Sequence, residues 1–358
     1  MRCNSLTAAL AAIVLSVASG SASAQVPPEA KPAAPPAPNA KISGLLFGDY
    51  YSFSSDHLAA FEKQQGMWIR RAYFTYDNAI SPAITTRLRL EANGNGKLAG
   101  GTMTTVIKDA YLRWTFHGRQ QITVGVQPSL TWEFIESVWG LRHIEKPPVD
   151  IYKMDVSREM GFTLGGPLNK PQTLKYQLQF GNEAGFGGET DRFKGYRAAA
   201  RYETNPGISI EGVVGHFNRG LNADRTTAQV FAAYRAPRGR AGFQYSYQRR
   251  RAADGSGLHD VNMAIVSGFA VYHLKPQKYS VFLRVDRVKE PCADCGGIDY
   301  LPIDTKQGFT LTIAGIEYYI DPAVRFSPNI ELVNYAAPRT GSKPRKDMVA
   351  RLTFFWAW

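Results

Sequence analysis

The chain has 358 residues, 44% of them hydrophobic and 12% aromatic, including 33 glycines, 18 tyrosines and 19 phenylalanines. Lysine and arginine outnumber aspartate and glutamate 42 to 30, a formal charge of +12. The mean hydropathy is mildly polar, and no stretch approaches the roughly 20 apolar residues of a membrane-spanning helix, which excludes a helical membrane protein.

Residues 1–24 read as a secretory signal peptide: Arg2 supplies a positive start, an apolar run extends from about Leu6 to Ala18, and Ala22-Ser23-Ala24 matches an A-x-A cleavage site. Cys3 lies at the start of this leader, away from any lipid-attachment position. The mature chain is expected to begin at Gln25, with VPPEAKPAAPPAPNA, residues 25–40, as a periplasmic spacer. Proline and alanine at this density favour extended polyproline-type backbone and build no core.

From residue 41 to 358 the chain shows no further linker and no break in composition. Sixteen segments read as strands, near 41–53, 66–77, 84–93, 105–116, 121–127, 157–166, 173–182, 194–204, 208–217, 226–236, 240–250, 260–273, 278–289, 308–320, 323–335 and 347–358. Apolar residues at every second position mark one face of a strand. In 84–93 that face is Thr86, Leu88, Leu90 and Ala92, against Arg87, Arg89 and Glu91. In 105–116 it is Ala110, Leu112, Trp114 and Phe116, against Asp109, Tyr111, Arg113 and Thr115. The last strand, RLTFFWAW, sets Leu352, Phe354, Trp356 and Trp358 against Arg351 and Thr353. Three segments are irregular. Strand 308–320 changes parity between Ile313 and Ile316, as a bulge would. Pro328 inside 323–335 calls for a bulge or a missing ladder bond. Segment 260–273 is apolar on both faces.

The connections alternate short and long. HGRQ (117–120), TNPG (204–207), APRG (236–239), KPQ (275–277) and DPA (321–323) are tight, whereas 92–103, 182–192, 251–260 and the stretch after Lys289 are long, polar and glycine-rich. Short periplasmic turns, long outer loops and strands that alternate apolar outward with polar inward define an all-β fold: a transmembrane antiparallel β-barrel of about 16 strands in the bacterial outer membrane. The competing fold is a secreted β-sandwich, which would have to bury the aromatic face of the closing strand.

An aromatic last residue preceded by alternating apolar positions resembles the assembly signal of bacterial outer-membrane proteins, which implies the barrel assembly machinery as a partner of this strand. ISGLLFGDYYSF (42–53) followed by WIRRAYFTYD (68–77) resembles the start of the phosphate-selective porin O/P family, over about residues 42–91 plus the general architecture. The resemblance implies a sixteen-stranded general or anion-preferring porin, often a homotrimer, with basic residues lining the pore. The chain therefore reads as a channel that passes small hydrophilic solutes, with anions favoured, by diffusion, with no reaction and no cofactor. A closed barrel acting as an enzyme or adhesin is the alternative; no compact nucleophile–base set appears at one rim, and the outer loops are short for an adhesin. An active transporter would need a plug domain ahead of the barrel, for which 25–40 is too short.

The site residues follow from this reading. Arg71, Arg87, Arg89, Arg113, Arg197, Arg201, Arg284 and Arg351 fall on the polar faces of their strands and are expected to line the pore. Permanently charged guanidinium groups in a narrow passage lower the barrier for anions. Glu91, Asp109, Glu203, Glu211, Asp286 and Glu331 share that parity, so cross-strand ion pairs that select no sign are the competing outcome. The long connection 128–156 is expected to fold into the lumen and narrow it. Trp132, Phe134, Ile135, Val138 and Trp139 would pack a helical turn on the wall, and Glu133, Glu136, Arg142, His143, Glu145 and Lys146 would face the passage. Otherwise the loop merely caps the barrel. Cys292 and Cys295 in PCADCGG are expected to form a disulfide stapling the seventh outer loop, redox and metal roles being weaker readings. Arg249, Arg250 and Arg251 top a strand where lipopolysaccharide phosphates would lie, or are simply solvated. The six histidines show no metal-binding spacing. For an exported chain the positive charge points to anionic solutes and lipid headgroups, and to no nucleic acid.

Overall fold

A computed structural model describes residues 40–94, 102–183, 185–188, 191–204, 207–218, 223–254, 257–276, 278–289, 301–338 and 340–358. The proposed signal peptide, nearly all of the spacer, and Cys292 with Cys295 lie outside the described residues.

Sixteen strands form a closed barrel in which each pairs with its neighbours in sequence and the first closes on the last. The first eight are β1 (Ala40–Ser55), β2 (Gln65–Ala79), β3 (Ile84–Asn93), β4 (Thr104–Phe116), β5 (Gln120–Pro128), β6 (Arg158–Pro167), β7 (Leu174–Gly181) and β8 (Gly195–Glu203). The rest are β9 (Ile208–Phe217), β10 (Arg225–Ala236), β11 (Gly239–Asp254), β12 (Gly257–Lys275), β13 (Tyr279–Val288), β14 (Phe309–Asp321), β15 (Val324–Tyr335) and β16 (Asp347–Ala357). Two short helices, α1 (Glu133–Trp139) and α2 (Pro148–Ile151), interrupt the long connection between β5 and β6.

Closure leaves no unpaired edge, which a hydrocarbon layer requires because it offers backbone groups no partners. The seam is antiparallel, running from Leu45 opposite Ala357 to Ser55 opposite Met348. Beyond it, the Trp358 and Gly44 main chains exchange two bonds of 3.0 Å. The Trp358 indole lies over Gly44, where any Cβ would meet the ring and the Tyr73 carbonyl. The outward face carries Leu88, Leu112, Trp114, Val124, Leu352, Trp356 and Trp358, all exposed, as an exterior bathed in lipid requires.

One of the three irregularities resolves differently from expectation. β14 holds one continuous register from Phe309 to Tyr318 against β13, with no bulge between Ile313 and Ile316; its register shift lies at Tyr319/Asp321, beside the turn. Ile313 points inward and is fully buried, and Ile316 points outward. Pro328 keeps register opposite Leu352 without a bulge, while toward β14 the pairing passes from Gly315 opposite Asn329 to Tyr318 opposite Phe326 and leaves it out, the missing-bond alternative. β11 and β12 also remain paired up to Asp254 and Gly257, so most of the expected loop 251–260 is ladder.

The inward face of β12 explains its apolar character. Met263, Ile265, Phe269 and Val271 are buried together with Phe231 of β10, Phe282 of β13, Leu311 and Ile313 of β14 and Val333 of β15. They form one apolar cluster with Trp132, Phe134, Ile135, Val138, Trp139, Leu141, Ile144, Val149 and Ile151 of the β5–β6 connection. The inner wall on this side therefore carries apolar side chains among its polar ones, because a folded segment covers it. The parity change in β14 reflects that second buried surface and no backbone defect.

Candidate functional site: a charged passage beside an inserted loop

The β5–β6 connection enters the lumen and is fixed there through its main chain. Gly140 ends α1 in the left-handed region with φ 65°, as a helix C-terminus favours. Arg240 then donates to the Trp139 carbonyl at 2.8 Å. Arg70 donates to the Ile144 carbonyl at 2.9 Å and to that of His143. Arg284 donates to the Lys146 carbonyl at 2.5 Å, Arg250 to that of Lys153 at 2.8 Å, and Gln248 to that of Met154 at 2.6 Å. A buried loop leaves carbonyls without water, and wall side chains satisfy them.

These anchors correct part of the expected pore lining. The side chains of Arg197, Arg284 and Arg351 are 0%, 1% and 1% exposed. Arg197 is clasped by Asp155, Glu159 and Glu183 at 2.6–3.0 Å. Arg284 pairs with Asp286 at 2.5 Å, and Arg351 with Glu331 at 2.5 Å and Glu145 at 3.5 Å. All three lie beneath the loop and hold it in place, away from the open lumen. Arg71, beside Glu91, is nearly as buried. The loop residues divide in the same way. Trp132 and Trp139 join the apolar cluster, and Glu145 and Lys146 are buried. Glu133, Glu136 and Arg142 line open space.

The opening left between the loop and the wall of β1–β4 is a cavity of ≈ 330 Å³. Arg89, Lys108, Arg142, Arg158 and Arg325 face it, against the carboxylates Glu136 and Asp150. A larger cavity of ≈ 520 Å³ lies on the side of the short turns, where Arg113, Arg119, Lys175 and Arg201 oppose Glu133 and Glu211. A third, of ≈ 280 Å³, shares Arg113 and adds Lys41 and Arg87 against Asp77. Each carries more cations than acids. Many of these cations are paired: Arg87 with Asp77 at 2.7 Å and Arg201 with Glu211 at 2.7 Å, and in the first cavity all five, Arg142 with Glu136 at 3.1 Å, Arg89 and Arg158 with Asp109, Lys108 with Glu91 at 3.1 Å and Arg325 with Glu317 at 3.2 Å, the last three acids lying behind the lining. Arg113 instead donates to Thr123 Oγ1 at 3.1 Å and lies over the Tyr111 ring. Ion pairing and cationic excess thus coexist.

Two carboxylates of the inserted connection are displaced from their ordinary titration range, in opposite directions. Confinement raises the Glu136 carboxyl above its ordinary value, and Arg142 only partly offsets that. Burial would also raise Asp150, but Lys146 and Arg142 outweigh it and hold the carboxyl below the usual range.

Two bulges supply charges that strand parity misses. The β1–β2 register shifts between Phe47 and Gly48, which makes Arg70 the extra residue between Ile69 and Arg71, and both arginines turn inward and are buried. The β3–β4 register shifts between Arg89 and Leu90, skipping Lys108, so Lys108 reaches Glu91 at 3.1 Å beside inward Asp109. The signal was present in WIRRAY and VIKDA: two adjacent charges in a lipid-facing strand cannot both face inward without an extra residue. Arg249, Arg250 and Arg251 separate likewise. Arg250 anchors the loop, while Arg249 and Arg251 stand outside at 3.9 and 3.8 Å from Asp260.

No protein-family model matches the sequence, and no curated protein does. Among solved structures the barrel is similar to an anion-selective porin from Comamonas acidovorans, with 11% identity, a TM-score of 0.67 and coverage of 90% of this chain and 100% of that one. It is similar to OmpF of Salmonella typhi in complex with daunomycin, with 11% identity, a TM-score of 0.64 and coverage of 89% and 97%. The outer-membrane channel DcaP of Acinetobacter baumannii matches with 11% identity, a TM-score of 0.63 and coverage of 89% and 97%. The fold is that of outer-membrane porins. With its apolar exterior, the closed sixteen-stranded barrel belongs in the bacterial outer membrane.

Proposed function

We propose that the barrel is a diffusion channel for small hydrophilic solutes that favours anions. The observation carrying this reading is the charge of the constricted cavity, five cations facing two carboxylates. A solute crossing a narrow polar passage sheds part of its hydration and meets the lining charges at short range, where an excess of one sign lowers the barrier for the other. The driving force is the solute gradient, and no chemical step is involved. The O/P resemblance adds phosphate as one anion to test. The pairing of Arg87, Arg89 and Arg201 with carboxylates argues for a graded anion preference over a dedicated phosphate site. The anion-selective neighbour from Comamonas acidovorans is consistent with this sign. We further propose that the chain functions as a homotrimer, that the aromatic closing strand is read by the barrel assembly machinery, and that Arg249 and Arg251 meet lipopolysaccharide phosphates.

The test is planar-bilayer conductance of purified protein under a KCl gradient. Open steps with a reversal potential displaced toward chloride are expected. A reversal potential near zero or displaced toward potassium refutes the anion preference, and the absence of steps from folded protein refutes the channel.

A further inference from the structure

At the outer end of the barrel, Asp56, His57 and Asp347 converge. Asp56 and His57 open the connection after β1, and Asp347 begins β16. Their ligand-capable atoms all lie within 4.8 Å of one another. His57 Nδ1 is 2.9 Å from Asp347 Oδ2 and 3.5 Å from Asp56 Oδ1. The Tyr335 hydroxyl stands 3.2 Å from the same nitrogen and donates to Asp347.

Two observations set this cluster apart. Asp56 is 1% exposed, and while its Oδ1 accepts from the Leu58 N–H at 2.7 Å, its Oδ2 has no partner at all. An orphaned oxygen on a buried carboxylate carries an unrepaid desolvation cost. Elsewhere among the described residues, buried luminal carboxylates meet guanidinium or ammonium groups: Asp49 meets Arg70, Glu91 meets Arg71 and Lys108, Asp109 meets Arg158, and Glu331 meets Arg351. Among the described residues, the one basic side chain that Asp56 and Asp347 meet is the imidazole of His57.

We propose that Asp56, His57 and Asp347 form a binding site for a divalent metal cation of the zinc type. Two carboxylates cancel the charge of such an ion, and an imidazole nitrogen with carboxylate oxygens is a donor set that zinc accepts. Bonds of about 2.0–2.1 Å in a tetrahedron place neighbouring donors roughly 3.3–3.4 Å apart. His57 Nδ1 stands 2.9 Å from Asp347 Oδ2, and ligand atoms of the three residues lie within 4.8 Å of one another, a spread that small side-chain adjustments close to that value. The Asp56 Oδ2 without a partner is the atom a metal would satisfy. The His57 side chain is 11% exposed, which gives a route in from the outer surface. A bound ion would clamp the first outer loop to the start of the closing strand, residues far apart in sequence, and so lock the outer rim of the seam.

The test uses untagged full-length protein in detergent, stripped with a chelator, and titrates zinc by calorimetry. One equivalent per chain is expected, with affinity weakened at least about tenfold in Asp56→Asn and in His57→Gln, since each removes a ligand. Heat-modifiable migration on gels verifies that both variants are folded. Absence of zinc uptake by the wild-type chain, or unchanged affinity in either folded variant, overturns the assignment and leaves the cluster as a buried histidine between two aspartates.

Discussion

Replacing Arg89 with glutamine removes one positive charge from the constriction and spares the scaffold. The side chain is 26% exposed and reaches along the wall to Asp109 Oδ2 on the next strand at 3.3 Å, with its Nε donating to Thr75 at 2.9 Å. Asp109 keeps Arg158 as a partner, so the substitution orphans no buried acid. For an ion about 6 Å from the guanidinium in water-like surroundings, Coulomb's law gives about 0.7 kcal/mol. Screening at 0.1 M salt, with a Debye length near 10 Å, reduces this to about 0.4 kcal/mol. The anion loses that attraction and the cation loses an equal repulsion, so the permeability ratio should fall about three- to fourfold. At 1 M salt the Debye length of about 3 Å leaves well under twofold. The assay is the reversal potential of Arg89→Gln and wild-type channels under matched KCl gradients, one centred near 0.1 M and one near 1 M. The sign of selectivity should survive, because Lys108, Arg142, Arg158 and Arg325 remain. A reversal potential unchanged at the lower salt, or an effect equally large at both, would refute the electrostatic reasoning.

Arg197→Met should destabilise the barrel by at least about 3–5 kcal/mol, since it strands buried Asp155, Glu159 and Glu183 without their cation; the loss reads out as a lower temperature for the heat-induced mobility shift, and wild-type behaviour would deny the anchoring role. Truncation after Ala357 removes the two main-chain bonds to Gly44 and the indole over it, so the amount of folded protein in the outer membrane should drop; undiminished levels would count against the closing strand as an assembly element. Because the Glu136 carboxyl titrates above the ordinary glutamate range, lowering the pH should neutralise it before surface carboxylates, leave the cations in excess and increase anion preference. Glu136→Gln should show that increased preference at neutral pH and a flatter dependence below it, and an identical pH profile would remove Glu136 from the passage.

The barrel was legible because its grammar is local. A period of two, a turn every ten or so residues and an aromatic closing strand are set by the pleat and by a lipid exterior, and each can be read within one segment. The order of the strands then follows from short connections, which leave neighbours in sequence no choice but to pair. Insertion of segment 128–156 was legible for a similar reason, since a long connection rich in tryptophan and isoleucine must bury that surface somewhere. What parity could not assign was the environment of an inward side chain. Arg89 and Arg284 look alike in sequence, yet one faces water and the other the Lys146 carbonyl, because the loop covers only one side of the wall. Arg70 and Lys108 escaped because each depends on a bulge, an extra residue whose position is fixed by the neighbouring strand's register. The meeting of His57 with Asp347 is 290 residues apart in the chain; only closure of the first strand on the last brings those side chains together, and no spacing along the sequence could announce it.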